Sequence, residues 1–441
     1  MDRRGVAVVP AHPLACWDPG EVIRVEDAPQ NNSDGARGGR TEPVPTYRPT
    51  LSRRTFIRTV GALAGGFALA SCARDLGGRP KGPLPLYEDN QALDALRGIE
   101  RGATLRVYQW RDYLAGEVLD SFTRRHAASG ARVEVESFTS MVEAAERLRR
   151  PDADFDVFFP TIDALPRLVD ERLLRPLTHP MLPNLTNLWP FFRNGDGPFY
   201  DVGQRYSVPY TVYSTGIGWR RDLVRDADAP ESLANPYDAY WNVRYRGAVG
   251  IYDDYREAIA MALLRLGEDP NTGDEGTIER AVDDLIGLAE EVEVEVTAEG
   301  AYEELQTGDY AFQQSWSGDL LSAKRFGAVA SDDADLVAFT WPSGGIVGCD
   351  LTAICTAGRN PVLAHAFLDH LLDVAVAFEN FRWNGYQPPL GDRLPRVASH
   401  LRAAILRPDD LTEGRFLRTL RSDADARWRV GWQRFLEAAS R

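Results

Sequence analysis

Carboxylates stand beside aromatic residues at several points of the sequence, each just after an apolar run that predicts a strand. The groups are Trp110-Arg111-Asp112-Tyr113, Asp254-Tyr255-Arg256-Glu257, Trp316-Ser317-Gly318-Asp319, and Asp350 after Gly348-Cys349. Aromatic faces attract cations and cover methylene groups, and carboxylates neutralise ammonium groups. Gathered in one cleft, these side chains would suit a linear diamine or triamine.

Asp254 and Glu257 lie three residues apart at the start of a predicted helix. That spacing puts both carboxylates on one helix face, where the positive end of the helix dipole favours their ionised forms by about 0.3–1 kcal/mol each. Taken singly, acids in a first turn usually cap the helix, and a Trp at a strand end usually packs in the core. It is the joint occurrence of these groups that favours a binding site.

The chain that must position these groups alternates predicted strands and helices. Strands are predicted at Thr104–Trp110, Arg132–Phe138 and Asp156–Phe159, with helices at Gly116–Arg125 and Met141–Arg149 between them. This order predicts an α/β fold with a largely parallel sheet. In an open sheet of that kind ligands collect at the carboxyl ends of the strands, so the acidic and aromatic groups can converge on one cleft.

The alternation continues beyond residue 247. The later predicted elements are strands at Ala248–Tyr252, Ala311–Trp316, Leu336–Trp341 and Leu351–Cys355, and helices at Asp254–Leu266 and Val362–Phe378. Asn360-Pro361 is a good start for the second helix. Val292, Val294 and Val296 alternate with glutamates and predict a half-buried strand.

The overall charge restricts the class of partner. The 441 residues carry a net charge of −15 and include only 6 His. An acidic chain argues against nucleic acid, whose partners present basic patches, and it permits a cationic ligand. The scattered His predict no metal cluster, and no phosphate loop or nucleophile elbow is present, so no cofactor is expected.

Two of the four cysteines, Cys349 and Cys355, fall in the body of the chain. On one extended segment they would lie roughly 20 Å apart at about 3.3 Å per residue, which is too far for a disulfide. We expect both to be buried free thiols.

The segment before residue 100 resembles a lipoprotein export signal. Arg53-Arg54 after Ser52 is similar to a twin-arginine motif, the weakly apolar run that follows is too short to span a bilayer, and Leu69-Ala70-Ser71-Cys72 resembles a lipobox with Cys72 as the lipidated residue. Residues 51–72 are therefore predicted to be the signal and residues 73–100 a tether. Residues 1–50 are expected to be a disordered leader or to lie upstream of the true start.

Residues 103–390 resemble a known family, the periplasmic spermidine/putrescine-binding proteins of polyamine ABC importers. The similarity lies in the opening strand with Trp110, in Asp156-Val157-Phe158-Phe159-Pro160-Thr161, in Asp253-Asp254-Tyr255-Arg256-Glu257, and in Trp316, Asp350 and Asn384-Gly385-Tyr386-Gln387-Pro388. The resemblance implies a lipid-anchored, monomeric protein that captures a polyamine and delivers it to a membrane permease. It implies no catalytic residue.

The resemblance also implies a two-lobed periplasmic binding protein fold of type II, with the ligand cleft between the lobes and hinges near 213–218 and 344–347. Lobe I would comprise residues 101–213 and 347–385, and lobe II residues 214–346 and 386–441. The implied ligand-binding residues are Trp110, Asp112, Tyr113, Thr161, Asp163, Asp254, Glu257, Trp316, Asp350 and Tyr386.

Two positions depart from the family pattern. Asp163 adds a negative charge where relatives can carry an aromatic or small polar group, although it could instead cap the helix that follows. Gly348 stands where the family usually has a Trp. The glycine predicts an open space beside Asp350, and both departures favour a triamine over a diamine.

Two other hypotheses about the function remain open at this point. The first is a binding protein for another solute, such as a sugar, an opine-like amine or a cationic peptide. The second is a cleft enzyme that uses Cys349 beside Asp350, which would need a nearby base such as His.

Overall fold

The computed structural model describes residues 84–441, apart from Leu96, 194–200, 298–303, 327–335 and Arg393. The predictions for the leader, for the signal with Arg53-Arg54 and for the lipobox with Cys72 lie outside the described residues. They stay predictions.

The eleven strands of the described residues join one mixed sheet. In chain order they are β1 (Thr104–Trp110), β2 (Arg132–Phe138), β3 (Val157–Phe158), β4 (Leu174–Arg175), β5 (Ser207–Arg220), β6 (Val249–Tyr252), β7 (Glu295–Thr297), β8 (Phe312–Trp316), β9 (Val337–Thr340), β10 (Ile346–Cys355) and β11 (Arg415–Phe416). The main order is β2-β1-β3-β10-β5-β8-β6-β7, with β4 and β11 paired to β10 and β9 paired to β5. Parallel pairs therefore flank an antiparallel centre formed by β5 and β10.

Helices follow most of these strands. They span Gly116–Arg125, Met141–Leu148, Leu165–Asp170, Pro190–Arg193, Tyr255–Arg265, Glu275–Val292, Glu304–Thr307, Ser317–Phe326, Pro361–Leu371, Val374–Asn384, Asp410–Glu413 and Ser422–Ala439. No single helix of the described chain is long and apolar enough to cross a membrane. The pair Pro361–Leu371 and Val374–Asn384 passes that test together, but it is bent by 77°.

Two sequence predictions are wrong in detail. The helix predicted at Val362–Phe378 is two helices, because Asp373 accepts hydrogen bonds from the backbone N–H groups of Ala375 and Val376 and so starts a second one. The strand predicted around Val294 begins only at Glu295. The preceding helix extends to Val292 and ends at Glu293, whose φ of 53° is left-handed.

Strands β5 and β10 carry the chain across the centre of the sheet. Apart from Tyr213, the residues of the 14-residue strand β5 are all buried, as is the whole of β10. Their antiparallel register places Tyr213 opposite Gly348 and Thr211 opposite Asp350, with an irregularity just after Asp350. Beyond Thr215, β5 leaves β10 and pairs with β8 and β9. The two central strands thus tie both ends of the sheet together.

The hydrophobic cores fall on either side of these strands. One core gathers buried residues from 217–346 and 428–438, and two others gather residues from 84–212 and 347–416. Leu390, Leu406 and Phe416 pack in the latter cores. Ala404 instead lies in a fourth core with Leu305, Tyr310, Leu320, Val337 and Phe339, so residues 386–416 pack against both predicted lobes. The predicted division into lobes stays a prediction.

The predicted tether 73–100 is packed against the fold from Leu84 onward. Leu84 is buried, and the Tyr206 hydroxyl donates a hydrogen bond to the Pro85 carbonyl at 2.6 Å. The Glu100 carboxylate accepts hydrogen bonds from the backbone N–H groups of Val362 and Leu363 at the start of their helix. Within the described residues this segment is thus part of the folded body.

Candidate functional site

Asp350 is a buried carboxylate in the middle of β10. Its Oδ2 atom accepts a hydrogen bond from the Tyr113 hydroxyl, which also lies 2.7 Å from the Thr211 hydroxyl. Its Oδ1 atom has no hydrogen-bond partner among the described residues. Burial raises the pKa of Asp350 to about 7, the Tyr113 bond opposes that rise, and the charge of Asp163 adds to it.

Three side chains hold Tyr113 in place by donating hydrogen bonds to its backbone carbonyl. That oxygen accepts hydrogen bonds from the Tyr210 hydroxyl at 2.8 Å, from Asn380 Nδ2 at 3.1 Å and from Asn384 Nδ2 at 3.0 Å. These three residues come from β5 and from the helix Val374–Asn384. The sequence did not indicate them, because their contribution is to hold another side chain in place.

Glu257 is a second buried carboxylate, in the first turn of the helix Tyr255–Arg265. Its Oε1 atom accepts hydrogen bonds from the Thr215 hydroxyl and from Trp316 Nε1, both at 3.2 Å. Its Oε2 atom has no partner among the described residues. Burial, and then the charge of Asp254, raise the pKa of Glu257 to about 8, against the effect of the two hydrogen bonds.

Asp254 is the N-cap of the same helix. Its Oδ1 atom accepts hydrogen bonds from the backbone N–H groups of Arg256 at 2.8 Å and Glu257 at 3.2 Å. Burial raises its pKa despite these bonds. Asp254 therefore caps the helix, as first-turn acids usually do, and it also lies next to Glu257, whose pKa its charge raises.

A line of aromatic rings connects the two buried carboxylates. Trp316, which bonds Glu257, has its ring centroid 6.3 Å from that of Tyr213. Tyr213 lies 5.8 Å from Tyr386, and Tyr386 lies 5.3 Å from Tyr113, which bonds Asp350. Such a row can cover the methylene groups of an extended ligand whose ends reach the carboxylates.

Asp319 fixes two of the surrounding rings. This buried carboxylate accepts hydrogen bonds from the Tyr386 hydroxyl at 2.6 Å and the Tyr252 hydroxyl at 2.9 Å. Tyr252 in turn stacks on Trp316 with centroids 4.2 Å apart. The Tyr386 hydroxyl is therefore engaged by the protein, and it is the ring of Tyr386 that joins the aromatic row.

Asp163 lies among the site carboxylates and does not cap a helix. The N-cap of the helix Leu165–Asp170 is Ala164, which makes no side-chain capping bond. The charge of Asp163 raises the pKa values of Asp254, Glu257 and Asp350. Thr161, two residues earlier, forms an isolated bridge with Asp350. Both predicted residues of this loop are therefore brought to the site.

The open space predicted at Gly348 is absent. A Cβ atom at this position would lie 2.2 Å from Cζ of Tyr213, because the tyrosine ring lies across the glycine from the neighbouring strand. The interpretation that the glycine leaves room for a bulkier ligand is therefore wrong. The Tyr213 ring fills this space, and Tyr213 was not among the predicted ligand-binding residues.

The opening strand contributes less directly than predicted. Asp112 is exposed in a turn with φ of 54°, and its carboxylate has no hydrogen bond or ion pair with any described residue. Trp110 is half-buried, with its ring 4.6 Å from that of Phe138 and its indole N–H without a described partner. Tyr113, one residue after Asp112, is the residue of this segment that meets Asp350.

The charges of three carboxylates at the site are not balanced by ion pairs within the described residues. Asp163, Glu257 and Asp350 form no ion pair with any described residue. The nearby Arg256 guanidinium donates to Asn271 and to the Arg418 carbonyl, and it lies over the Trp428 ring at 4.6 Å. Buried carboxylates without cationic partners favour a cationic ligand. Within the described chain, no group of His, Cys, Asp and Glu is suited to a metal ion.

Cys349 and Cys355 are free and buried, as the sequence predicts. Burial, and then the charge of Asp350, raise the pKa of the Cys349 thiol well above its usual value. Since the thiolate is the nucleophilic form, this environment disfavours nucleophilic chemistry at Cys349.

Two long strands, β5 and β10, run through the centre of this α/β sheet, and the buried carboxylates and aromatic rings lie on and beside them. This combination is typical of a solute-binding protein. The chain belongs to the family of bacterial extracellular solute-binding proteins, whose model matches residues 117–397. Membership places the protein outside the cytoplasm, in the periplasm or at the cell surface. The family and the relatives below bear the names of binding proteins and not of enzymes.

Several relatives are similar along most of their length. A spermidine/putrescine-binding periplasmic protein of Escherichia coli is 28% identical over 339 residues, which is 76% of this chain and 88% of the relative. A putrescine/cadaverine-binding protein of Pseudomonas aeruginosa is 28% identical over 314 residues, 70% of this chain and 86% of the relative.

Solved structures confirm the predicted fold class, an α/β periplasmic binding protein. The spermidine/putrescine substrate-binding protein PotD of Streptococcus pneumoniae has a TM-score of 0.61 at 20% identity, with 76% of this chain and 99% of that chain covered. MotA of A. tumefaciens B6, solved in complex with glucopine, has a TM-score of 0.54 at 18% identity, with 76% and 98% covered.

Proposed function

We propose that this protein binds a polyamine and delivers it to an ABC permease. The observation that carries the proposal is the pairing of Glu257 and Asp350. Each is a buried carboxylate with one oxygen bonded to the protein and the other without a described partner. An aromatic row lies between them. A linear molecule with an ammonium group at each end would satisfy both free oxygens.

The energetics of the buried acids support this ligand class. A buried carboxylate without a cation is costly, so Glu257 and Asp350 are held partly protonated near neutral pH. An ammonium group supplies the missing charge and hydrogen bonds, while the rings between the two acids replace water along the ligand's methylene groups. Both contributions require positive charge separated by an apolar chain.

The names of the relatives support the same class, since they bind spermidine, putrescine or cadaverine. We propose the full predicted set as the ligand-binding residues: Trp110, Asp112, Tyr113, Thr161, Asp163, Asp254, Glu257, Trp316, Asp350 and Tyr386. Asp112 and Trp110 would contribute from the rim. Tyr386 would contribute its ring, because its hydroxyl is bonded to Asp319.

The alternative solutes fit the site less well. An opine carries a carboxylate, and that group would approach Glu257, Asp350 and Asp163 without a described cationic side chain in ion-pair contact with them. A neutral sugar would leave the charges of the same acids uncompensated. A catalytic role for Cys349 would require a thiol that ionises more readily than a fully buried one.

The wider organisation is part of the proposal. We propose a monomer with two lobes that close on the ligand and are joined through β5 and β10. Export by the twin-arginine route through Arg53-Arg54 and lipid attachment at Cys72 are proposed from the sequence alone.

A thermal-shift screen tests the ligand class directly. The purified protein is heated with putrescine, cadaverine, spermidine, spermine, agmatine, a neutral sugar or an opine, each at matched ionic strength. A ligand at 100 times its dissociation constant should add about 2.7 kcal/mol to the free energy of unfolding. We expect stabilisation by the polyamines. Stabilisation by the sugar or opine alone would overturn the proposal.

A further inference from the structure

We propose that Tyr213 is a ligand-contacting residue that replaces the missing side chain at Gly348 and selects ligands with an amine in the middle of the chain. The inference rests on the proposed polyamine function and names the part of the site that would read ligand length. Tyr213 was predicted from the sequence only as the start of a hinge and not as a ligand-binding residue.

The first support is steric. Tyr213 on β5 and Gly348 on β10 are directly opposite each other in the antiparallel register. A Cβ atom at Gly348 would lie 2.2 Å from Tyr213 Cζ and 2.6 Å from its hydroxyl oxygen. Only glycine leaves room for the ring in this position, so the large and the small residue form one complementary pair across the two strands.

The second support is exposure. Tyr213 is half-buried, whereas the other residues of β5 are buried. Its ring lies in the aromatic row, 6.3 Å from Trp316 and 5.8 Å from Tyr386 by ring centroids. Tyr213 is thus the one residue of this strand that is partly accessible, and its ring belongs to the row that joins the two carboxylates. It is therefore placed to contact a ligand that runs along the row.

The third support is the hydroxyl group. It makes no hydrogen bond with the described residues. Burial, and then the charges of Asp350, Glu257 and Asp163, raise the pKa of Tyr213 well above its usual value, so the phenol stays protonated. A neutral phenol oxygen accepts a hydrogen bond from an ammonium group while its own proton can go to a carboxylate.

These three observations favour a triamine. When the end ammonium groups of the ligand meet Glu257 and Asp350, the stretch between them passes Tyr213. The secondary ammonium of spermidine has two N–H donors, which could meet the Tyr213 oxygen and the Asp163 carboxylate. Putrescine has only methylene groups in its middle, so it gains the ring contact without the hydrogen bond.

Hydroxyl removal separates these two contributions. In calorimetric titrations of the full protein, Tyr213→Phe should weaken spermidine about fivefold to tenfold and change putrescine less than twofold. Tyr213→Ala should weaken both ligands, because it also removes the ring. Tyr245→Phe is the matched control. Its hydroxyl bonds Asp228 and its ring packs on Phe312 in another core, so neither affinity should change.

Exchanging the pair tests the steric claim independently of any ligand. Gly348→Trp alone should lower the melting temperature of the free protein and abolish polyamine binding, because the indole meets the Tyr213 ring. The double variant Tyr213→Gly with Gly348→Trp moves the aromatic group to the other strand. It should recover most of the lost melting temperature and bring putrescine binding to within about tenfold of the wild type.

The outcomes are separable. If Tyr213→Phe weakens neither ligand or weakens both equally, the hydroxyl does not read the middle amine and the inference is overturned. If the double variant is no more stable than Gly348→Trp, the two positions are not a complementary pair. If the wild-type protein binds no polyamine, the proposed function is overturned. The melting temperatures of Gly348→Trp and of the double variant still test the pairing of the two positions, because they are measured without a ligand.

Discussion

The Tyr113 hydroxyl donates a hydrogen bond to one oxygen of Asp350, while the other oxygen of that carboxylate has no described partner. Glu257 repeats this arrangement with Trp316 as the donor. The protein thus orients each acid through one oxygen and leaves the second for a ligand. The first prediction follows from this geometry.

Asp350→Asn and Glu257→Gln should each weaken polyamine binding at least tenfold, because a buried ammonium left without its carboxylate typically loses about 2–5 kcal/mol. Neither change should lower the melting temperature of the free protein, since both remove an uncompensated acid. Calorimetric titration and thermal melts give the two numbers. Wild-type affinity in both variants would show that the site lies elsewhere.

Ligand binding should release protons. The pKa values of about 8 for Glu257 and about 7 for Asp350 are raised above those of exposed acids, so both groups bind protons near neutral pH when no ligand is bound. A bound ammonium favours the ionised forms, and the protons must leave. Affinity should therefore rise from pH 6 to pH 9, by on the order of tenfold per released proton and pH unit below the pKa.

Titrations in two buffers with different heats of ionisation measure this release. The apparent binding enthalpy should depend on the buffer for the wild type. It should depend less on the buffer for the double variant Asp350→Asn with Glu257→Gln, wherever that variant still binds. Identical enthalpies for the wild type in both buffers would contradict the prediction.

Two substitutions separate the capping and charge roles of Asp254. Asp254→Ser keeps a side-chain oxygen for the N–H groups of Arg256 and Glu257, whereas Asp254→Ala removes it. We expect Asp254→Ala to cost about 0.5–2 kcal/mol of unfolding free energy and Asp254→Ser much less. Both should weaken ligand binding. If the serine variant binds as the wild type does, Asp254 acts only as a cap.

Asp163 should contribute more to a triamine than to a diamine. Its charge acts on Asp254, Glu257 and Asp350 alike, which places it among them. Asp163→Asn should weaken spermidine more than putrescine in competition binding at matched salt, because screening would otherwise blur the comparison. Asp152→Asn, with a side chain 76% exposed, makes the same charge change at the surface and serves as the control. An equal loss of affinity for spermidine and putrescine would contradict this prediction.

Export and anchoring should depend on separate residues. Replacing Arg53 and Arg54 by Lys should block export, and Cys72→Ala should release the protein from the membrane fraction. Cell fractionation with immunoblotting reads both. Export of the double-Lys protein at the wild-type level would contradict the first expectation, and unchanged membrane association of Cys72→Ala the second.

Local patterns predicted the first part of the sheet well. The predicted bounds of Thr104–Trp110, Gly116–Arg125 and Arg132–Phe138 all match the structure, because each element has a clear apolar period and ends at a turn. The same reasoning merged two helices around Asp373, whose capping bonds depend on a local break that an apolar run conceals.

Several residues predicted for the site lie close together in the structure, but the side chains that surround them were not predicted. Gly348 was read as a gap, since a sequence does not show which residue of an adjacent strand lies over a glycine, and here it is Tyr213. Asp112 and Tyr113 were both predicted to bind the ligand. The structure places them differently: Asp112 is exposed in a left-handed turn, whereas Tyr113 is buried and donates a hydrogen bond to Asp350.

The pair of hydrogen bonds at Asp319 has a consequence for the cost of binding. Because its carboxylate accepts hydrogen bonds from the Tyr252 and Tyr386 hydroxyls, the orientation of both rings is restrained before any ligand binds. A ligand that contacts these rings does not have to immobilise them. The loss of their side-chain entropy therefore occurs on folding and does not reduce the binding free energy. The protein meets its ligand with a preorganised surface.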